Sequence, residues 1–259
     1  MKIFIRKVDG EFPDDWLYAA YVGFKQRGAD ITTFENISDV PPGMDNLVVS
    51  FIEETETHMI NSGVTIPTPL NVPEVLEGYA APRKILTMAE FKKETELPIF
   101  IKPNAKLKQF PCGVISKESS RQSFFTDVPD ETEVMITDVL DIKSEWRGFV
   151  HNNKLVGLKH YGDGGFTEFP NDSIIRGAIG LFGAYKNGDE IETYNRTDTS
   201  KKRKIITTKA PIAYSIDFAV TSSGATKLIE CNDFWSIGNY GLDPTLYTTM
   251  LIDRWREIA

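Results

Sequence analysis

The stretch Leu228-Ile-Glu-Cys-Asn-Asp-Phe-Trp-Ser-Ile-Gly-Asn-Tyr-Gly-Leu-Asp-Pro244 decides how this chain folds. It begins as an apolar strand and places a carboxylate and an amide two residues apart, at Glu230 and Asn232. Side chains on a strand alternate between its two faces, so both groups point to the same side. Their oxygens are ligands that Mg²⁺ accepts while water and phosphate complete its shell.

A second predicted strand, at residues 213–220, precedes this stretch and carries one acid, Asp217, among apolar neighbours. The turn signal at residues 222–225 predicts that the two strands form a hairpin, so that Asp217 faces Glu230 and Asn232 across the ladder. Each residue alone is typical of a turn or a strand edge. Carboxylates held close together repel each other, however, and favour a cation between them. We therefore predict a metal site.

The composition is that of an ordinary globular chain. Its 259 residues are enough for one large domain or two small ones. Of these residues, 41% are hydrophobic and 25% are charged. The formal net charge of -8 argues against general binding to nucleic acid or to an anionic membrane. The two cysteines lie far apart, no apolar run is long enough to span a membrane, and the start does not read as a signal peptide. We expect free thiols and a cytoplasmic protein.

Residues 1–75 read as a small Rossmann-like α/β layer. Apolar runs and helical spacing predict alternating elements, with strands at 2–6, 29–34, 46–51 and 64–67 and helices at 16–26 and 53–62. Prolines at 67, 69, 73 and 82 then predict a linker, so we place a second domain at residues 76–259.

The second domain reads as mixed α and β structure. The predicted strands and helices, in chain order, are a helix at 88–94, strands at 97–103, 114–115 and 134–140, a hairpin at 145–159, a helix at 173–186, the hairpin of Asp217 and a final helix at 244–256. Asp243 is its predicted N-cap and Pro244 its first residue. A polar insert at 187–209 lies between the helix at 173–186 and the hairpin of Asp217.

Lys102 ends an apolar strand, where a buried lysine without a partner is costly. It either reaches a nucleotide phosphate as a compact charge or extends from the strand end into water. Lys84, Lys106 and Lys108 lie around the same strand and loop of this acidic chain. Their clustering favours a polyanionic ligand that binds together with a metal.

The motif Glu145-Trp-Arg147 puts an acid and a base on one strand face. One interpretation is an exposed ion pair worth less than about 1 kcal/mol. The other is that Glu145 binds a ribose hydroxyl and Arg147 a developing anionic oxygen.

Trp235 and Tyr240 follow the metal strand beside Gly238 and Gly241. They are either aromatic core residues or part of a substrate loop whose glycines allow close backbone approach. The basic run at residues 201–204 reads as a solvated loop, with a patch for an acidic partner as the less favoured alternative.

Several familiar signatures are absent from the sequence. It contains neither the phosphate-binding pattern GxxxxGK[ST], nor GxGxxG after a strand, nor the zinc motif HExxH. Only three histidines are present, His58, His151 and His160, and no Ser/His/Asp arrangement is suggested by spacing. Catalysis that depends on histidine is therefore poorly supported.

The order of these motifs resembles the ATP-grasp superfamily of carboxylate–amine ligases, in a compact stand-alone clade of bacteria and phages. The resemblance covers about residues 80–245 and implies two α+β subdomains that grip ATP, a small lobe at 83–138 and a large lobe at 139–259. The matching residues are Lys84, Lys102, the loop 108–113, the segment 136–140, Glu145, Arg147, Asp217, Glu230 and Asn232.

The resemblance assigns roles to these residues. It implies that Lys84, Lys102 and Lys108 bind the ATP phosphates, that Asp138, Val139 and Leu140 meet adenine, that Glu145 holds the ribose, that Asp217, Glu230 and Asn232 hold one or two Mg²⁺ ions, and that Arg147 and Lys159 face an acyl phosphate. Substrate contacts are expected from Asp233, Trp235 and Tyr240.

The implied activity is an ATP- and Mg²⁺-dependent ligase that joins a small-molecule or peptide carboxylate to an amine. A small-molecule kinase and a nucleotide-binding module without turnover are the alternatives. No nucleic acid or membrane partner is expected, and a homodimer is compatible with the family. Two features depart from the family pattern: the phosphate loop is poor in glycine, and the insert at 187–209 is long.

Overall fold

The computed structural model describes residues 1–94, 96–104, 109–117, 125, 127–162, 168–194 and 202–259. Most of the described strands form three sheets: a parallel sheet at the N-terminus and two antiparallel four-stranded sheets. The two antiparallel sheets lie in the regions that the sequence predicts as the small and large lobes.

The N-terminal layer contains β1 (Lys2–Arg6), α1 (Asp15–Gln26), β2 (Ile31–Phe34), β3 (Asn46–Val49) and α2 (Ile52–Asn61). Its strands are parallel in the order β2-β1-β3, so the predicted βαβ start is confirmed. The predicted fourth strand at 64–67 is wrong, since these residues form no strand. Pro67 and Pro69 lack the backbone N–H that a ladder requires, which accounts for the difference.

The small-lobe sheet consists of β4 (Arg83–Thr87), β5 (Ile99–Pro103), β6 (Gly113–Ile115) and β7 (Glu133–Asp138) in the order β4-β7-β5-β6, with the short helix α3 (Met88–Phe91) beside it. One sheet face packs on an aromatic cluster that includes Phe91, Phe110 and Phe125. The opposite face is left for another contact.

The large-lobe sheet consists of β8 (Ile142–His151), β9 (Lys154–Tyr161), β12 (Ala213–Thr221) and β13 (Thr226–Asp233) in the order β13-β12-β8-β9. Asn152 and Asn153, with φ of 50° and 57°, form the predicted Asn-Asn turn, a conformation that asparagine tolerates. One face of the sheet packs against α4 (Asp172–Gly183) through an apolar cluster. The other face carries the polar residues discussed below.

The polar insert contains a two-stranded antiparallel hairpin, β10 (Glu190–Tyr194) and β11 (Lys202–Ile206). The basic run predicted as a solvated loop therefore lies partly in a strand, where Lys204 pairs with Glu190. Lys201 lies outside the described residues. Four residues of the hairpin are β-branched and favour strands, namely Ile191, Thr193, Ile205 and Ile206.

The final helix α5 (Pro244–Ile258) begins as predicted, with Asp243 accepting a hydrogen bond from Leu246 N and Pro244 in the first turn. The helix packs on α1 as well as on the large-lobe sheet. Residues from both ends of the chain therefore share one core. None of the described helices has the length and apolarity needed to cross a membrane.

Candidate nucleotide and substrate sites

A row of polar side chains crosses the large-lobe sheet on one face. In the ladder register Lys159 lies opposite Arg147, Arg147 opposite Asp217, and Asp217 opposite Glu230. Residues that pair directly across antiparallel strands project to the same side. The predicted placement of Asp217 across from Glu230 is therefore confirmed, and Arg147 joins the same row.

Arg147 and Asp217 form a bidentate ion pair. Arg147 Nε and Nη2 donate to Asp217 Oδ1 and Oδ2 at 2.9 and 2.6 Å, and Asp217 is fully buried. Burial raises the pKa of Asp217 to about 6, while the hydrogen bonds and charge of Arg147 oppose that rise. Both carboxylate oxygens are therefore already occupied by a cation that belongs to the protein.

This geometry gives Asp217 a partner within the protein, and its predicted role as a metal ligand stays a prediction. Tyr161 Oη also donates to Asp217 Oδ2, at 3.3 Å. Among the described residues, no group of three or more His, Cys, Asp or Glu side chains is arranged to hold a metal ion. Glu230 and Asn232, the other two predicted ligands, lie on the neighbouring strand β13.

Glu230 lies between a lysine of the small lobe and its neighbour on β13. Lys102 Nζ donates to Glu230 Oε2 at 2.7 Å, and Asn232 Nδ2 donates to Glu230 Oε1 at 2.9 Å. Burial acts to raise the pKa of Glu230, but the charge and hydrogen bond of Lys102 outweigh it and the pKa is lowered. Lys102 therefore points to the polar row rather than into water, and it joins the two lobes.

The donor chemistry of this pair fits Mg²⁺. Glu230 offers a charged carboxylate, and the amide of Asn232, with its nitrogen turned to Glu230, leaves its oxygen for a cation. Mg²⁺ is commonly held by one or two protein groups together with substrate phosphates. Glu230 and Asn232 would hold such an ion, which would neutralise phosphate charge.

Two tyrosines lie against the guanidinium of Arg147. The centroid of the Tyr240 ring lies 4.4 Å from Arg147 Cζ, and that of Tyr161 lies 5.2 Å from it. Tyr240 has a φ of 45° and Gly241 a φ of 76°, so the backbone turns sharply to bring the ring over Arg147. Sequence reasoning missed Tyr161, although this residue lies two positions after Lys159 on β9 and therefore shares its strand face.

A first cavity, of about 390 Å³, lies between the two lobes. Its wall is largely apolar, and its polar edge includes Lys102, Glu145 and Glu230. The predicted hinge residues Asp138, Val139 and Leu140 also line it. The apolar residues around it are Val72, Ala80, Ala81, Phe100, Val114, Met135, Ile142, Leu228 and Ile229. Burial raises the pKa of Glu145, and the nearby charge of Glu230 adds to the rise.

The structure does not bring Lys84 to this cavity. Lys84 pairs with Ile136 in the small-lobe sheet, on the face opposite to Lys102. Its side chain is 49% exposed and lies 3.3 Å from Glu94. Arg83, one residue earlier, faces the cavity instead and donates to Val72 O at 2.6 Å. The correction follows from strand alternation, because adjacent residues project to opposite faces.

Lys108, the third predicted phosphate ligand, lies outside the described residues, as does Lys106. Lys159 belongs to the polar row through its register with Arg147, but it lines neither cavity described here. Their predicted roles remain predictions.

A second cavity, of about 590 Å³, adjoins the same polar row from the side of the N-terminal layer. Arg147, Asn232 and the predicted substrate residues Asp233, Trp235 and Tyr240 line it. The opposite wall comes from α2 and from the segment that follows it. The residues of that wall are Ile52, Glu56, Ile60, Ile66, Pro67, Thr68, Pro69, Leu70 and Asn71.

Asp233 has a structural partner that the sequence did not reveal. Arg254 of α5 donates to both of its carboxylate oxygens, at 2.7 and 2.5 Å, and both side chains are nearly buried. Asp233 also accepts from Trp235 N at 3.4 Å. The indole of Trp235 is 5% exposed and belongs to the core shared with the N-terminal layer. These residues shape the cavity wall, whereas Tyr240 is accessible to a ligand.

A family model described as ATP-grasp domain, R2K clade family 2, matches residues 82–250, which is more than half of the chain. The chain belongs to this ATP-grasp family. The predicted superfamily is thereby confirmed, and the match spans both four-stranded sheets. No curated protein sequence matches the chain.

Solved structures agree on the ATP-grasp fold. D-cycloserine synthetase DcsG aligns with a TM-score of 0.58 at 9% identity, over 98% of this chain and 100% of that one. L-amino acid ligase from Bacillus licheniformis gives 0.56 at 10% identity, over 99% and 74%. N5-carboxyaminoimidazole synthetase from Staphylococcus aureus gives 0.55 at 10% identity, over 98% and 77%. At these identities the likeness establishes the fold.

Proposed function

We propose that this ATP-grasp protein is an ATP- and Mg²⁺-dependent ligase that joins a carboxylate to an amine. The observation that carries the proposal is that both cavities meet at the polar row. Glu145 and Glu230 border the first cavity, while Arg147 and Asn232, two residues further along the same strands, border the second. A nucleotide in the first cavity would thus present its phosphates to a substrate in the second.

The walls of the first cavity support a nucleotide. Apolar side chains suit an adenine ring, and the hinge at Asp138, Val139 and Leu140 offers backbone groups to its edge. Lys102 and Arg83 supply positive charge at this cavity. Glu145 borders the cavity next to the polar row, which supports its proposed contact with a ribose hydroxyl.

The chemistry follows from bringing two anions together. A carboxylate is a poor acylating agent, and transfer of the γ-phosphoryl group to it gives an acyl phosphate that an amine can attack. A bound Mg²⁺ would neutralise charge on the transferring phosphoryl group. Arg147, fixed by Asp217 and the two tyrosines, would orient the anionic oxygens of the reacting carboxylate. The protein acts mainly by positioning and charge.

The proposal is tested by screening amino acids, peptides and polyamines for ADP release, followed by mass analysis of the products. A ligase product has the combined mass of acid and amine minus water. A phosphorylated product would instead support the kinase alternative. Release of no ADP with any pair, although Mg²⁺-ATP binds in calorimetry, would support the module without turnover.

Glu230→Gln is the matched variant. It removes one carboxylate charge at the junction of the cavities and keeps the size of the side chain, with one acceptor oxygen left of the two that Lys102 and Asn232 contact. We expect turnover to fall by at least about 100-fold, because charge neutralisation at a phosphoryl group is lost. Circular dichroism should show an intact fold. Full activity in this variant would contradict the placement of the metal.

A further inference from the structure

The second cavity contains a carboxylate that the proposed chemistry does not use. Glu56 lies on α2, and the cavity-lining residues of that helix are Ile52, Glu56 and Ile60. Residues four apart in a helix share one face, so the acid stands in the middle of an apolar stripe. The opposite face of α2 is buried in the core through residues such as Met59.

Three charged residues line the second cavity, and two of them are already paired. Arg147 is held by Asp217, and Asp233 is held by Arg254. For the half-buried Glu56, the structure shows no hydrogen bond or ion pair of its carboxylate with any described residue. Its charge is therefore available to whatever occupies the cavity.

A carboxylate in such a wall discriminates between ligands by the charge of the ligand. An apolar occupant would displace water from Glu56 and leave the charge without a partner, which is costly. An occupant with an ammonium or guanidinium group would replace that water with a charge-assisted hydrogen bond. The surrounding apolar side chains lower the local dielectric constant and strengthen the interaction.

We propose that Glu56 is a specificity determinant that binds a cationic group of the substrate. The substrate would carry this ammonium or guanidinium on an apolar body, with its reacting group at the Arg147 end of the cavity. Apolar residues that line the same cavity, such as Ile66 and Leu70, would suit such a body. This inference rests on the proposed ligase function, because that function places the reacting group beside Arg147.

Two pairs of probes that differ by one charge test the inference. L-lysine is compared with L-norleucine, and 6-aminohexanoate with hexanoate, so that in each pair only the first probe carries an ammonium group at the far end of its apolar chain. Binding to the full-length protein in the presence of Mg²⁺-ADP is measured by calorimetry, and ADP release is measured with Mg²⁺-ATP. We expect the probe with the terminal ammonium to be preferred in at least one pair by about 10- to 100-fold, in line with a hydrogen bond to a charged group.

Glu56→Gln should reduce this preference to within about twofold. Glu53→Gln is the matched control, because Glu53 is exposed on the same helix, carries the same charge and does not line the cavity. It should keep the wild-type preference. Equal binding of both members of each pair by the wild type, no binding of either probe with a terminal ammonium, or a preference that survives Glu56→Gln would overturn the inference.

The calorimetric readout separates this inference from the proposed function. A charge preference that depends on Glu56 without any amide product would support the cation site and count against the ligase. Amide formation with no charge preference would support the ligase and overturn the role of Glu56.

Discussion

At the scale of single residues, the pair of Arg147 and Asp217 is the central feature of the site. The guanidinium is bound at both Asp217 oxygens and lies against two tyrosine rings, so its orientation is fixed before any substrate binds. Preorganised positive charge of this kind is an effective way to stabilise a developing anion. We interpret Asp217 as a positioning residue for Arg147.

Asp217→Asn distinguishes this role from metal binding. A buried arginine that loses its charged partner is destabilising, so we expect the free energy of unfolding to fall by about 3 kcal/mol. The Mg²⁺ dependence of ATP binding should change less than about threefold. Urea denaturation and calorimetry at several Mg²⁺ concentrations measure the two effects. Unchanged stability with strongly weakened Mg²⁺ dependence would show that Asp217 is a metal ligand.

Residue positions within one strand or hairpin could be predicted from the sequence. The shared face of Glu230 and Asn232 follows from spacing alone, and the position of Asp217 follows from the hairpin turn. The partner of Asp217 could not be predicted, because Arg147 lies 70 residues away and their register depends on how β8 pairs with β12. Arg83 was missed for the same reason, since the register of β4 decides whether Arg83 or Lys84 faces the cavity.

At the scale of elements, the close packing of α1 on α5 joins the two ends of the chain. A Cβ added to Gly23 would lie 2.1 Å from Pro244 O and 2.8 Å from Thr248 Cγ2. The first of these atoms belongs to the backbone, which cannot move aside as a flexible side chain can. The helices therefore require glycine at this crossing.

Gly23→Ala should destabilise the protein by about 3 kcal/mol, at the upper end of the usual cost of overpacking. Gly180→Ala is the control, since Gly180 lies in α4 and a Cβ there would meet nothing within 4 Å. This control should be neutral or stabilise by up to about 1 kcal/mol through helix propensity. Urea denaturation measures both, and equal stability of the two variants would contradict the packing argument.

Most elements were predictable because their signals are local. Caps such as Asp243, the Asn-Asn turn and the alternation of β12 and β13 are properties of adjacent residues. The false strand at 64–67 shows the limit of this reasoning. An apolar run there resembles a strand, yet the prolines that follow it direct the segment along the second cavity instead.

At the scale of the whole molecule, one core unites the N-terminal layer with the end of the chain. His58 of α2 is buried, and its ring stacks on Trp255 of α5 with centroids 6.0 Å apart. Burial lowers the pKa of His58, against opposing hydrogen bonds with the backbone at Gly43 and Asn46. The folded protein thus disfavours the charged imidazole at this junction.

Stability should therefore depend on pH through His58. Its pKa is lower in the folded state, so its contribution is fully present above about pH 6.5 and is lost as pH falls below that value. His58→Gln removes this titration. The variant should lose less stability than the wild type between pH 7 and 5.5, and the difference should be at most about 1.4 kcal/mol per pH unit. Urea denaturation at both pH values checks this, and parallel losses in wild type and variant would contradict it.

The fold of the whole molecule was predictable because the ordered motifs resemble a known superfamily, and the family match confirms it. The arrangement of the two cavities was not predictable, because the second one is formed by α2, the segment after it and the loop that carries Tyr240. These parts are far apart in sequence, and only their packing creates a place for a substrate.

Isotope transfer from a labelled carboxylate tests the central claim most directly. A carboxylate and an amine that support ADP release are supplied with Mg²⁺-ATP, with ¹⁸O in both carboxylate oxygens. An acyl phosphate intermediate predicts that one ¹⁸O appears in the released phosphate while the amide product keeps the other. Unlabelled phosphate, or a product that retains both labelled oxygens and gains a phosphoryl group, would contradict the account.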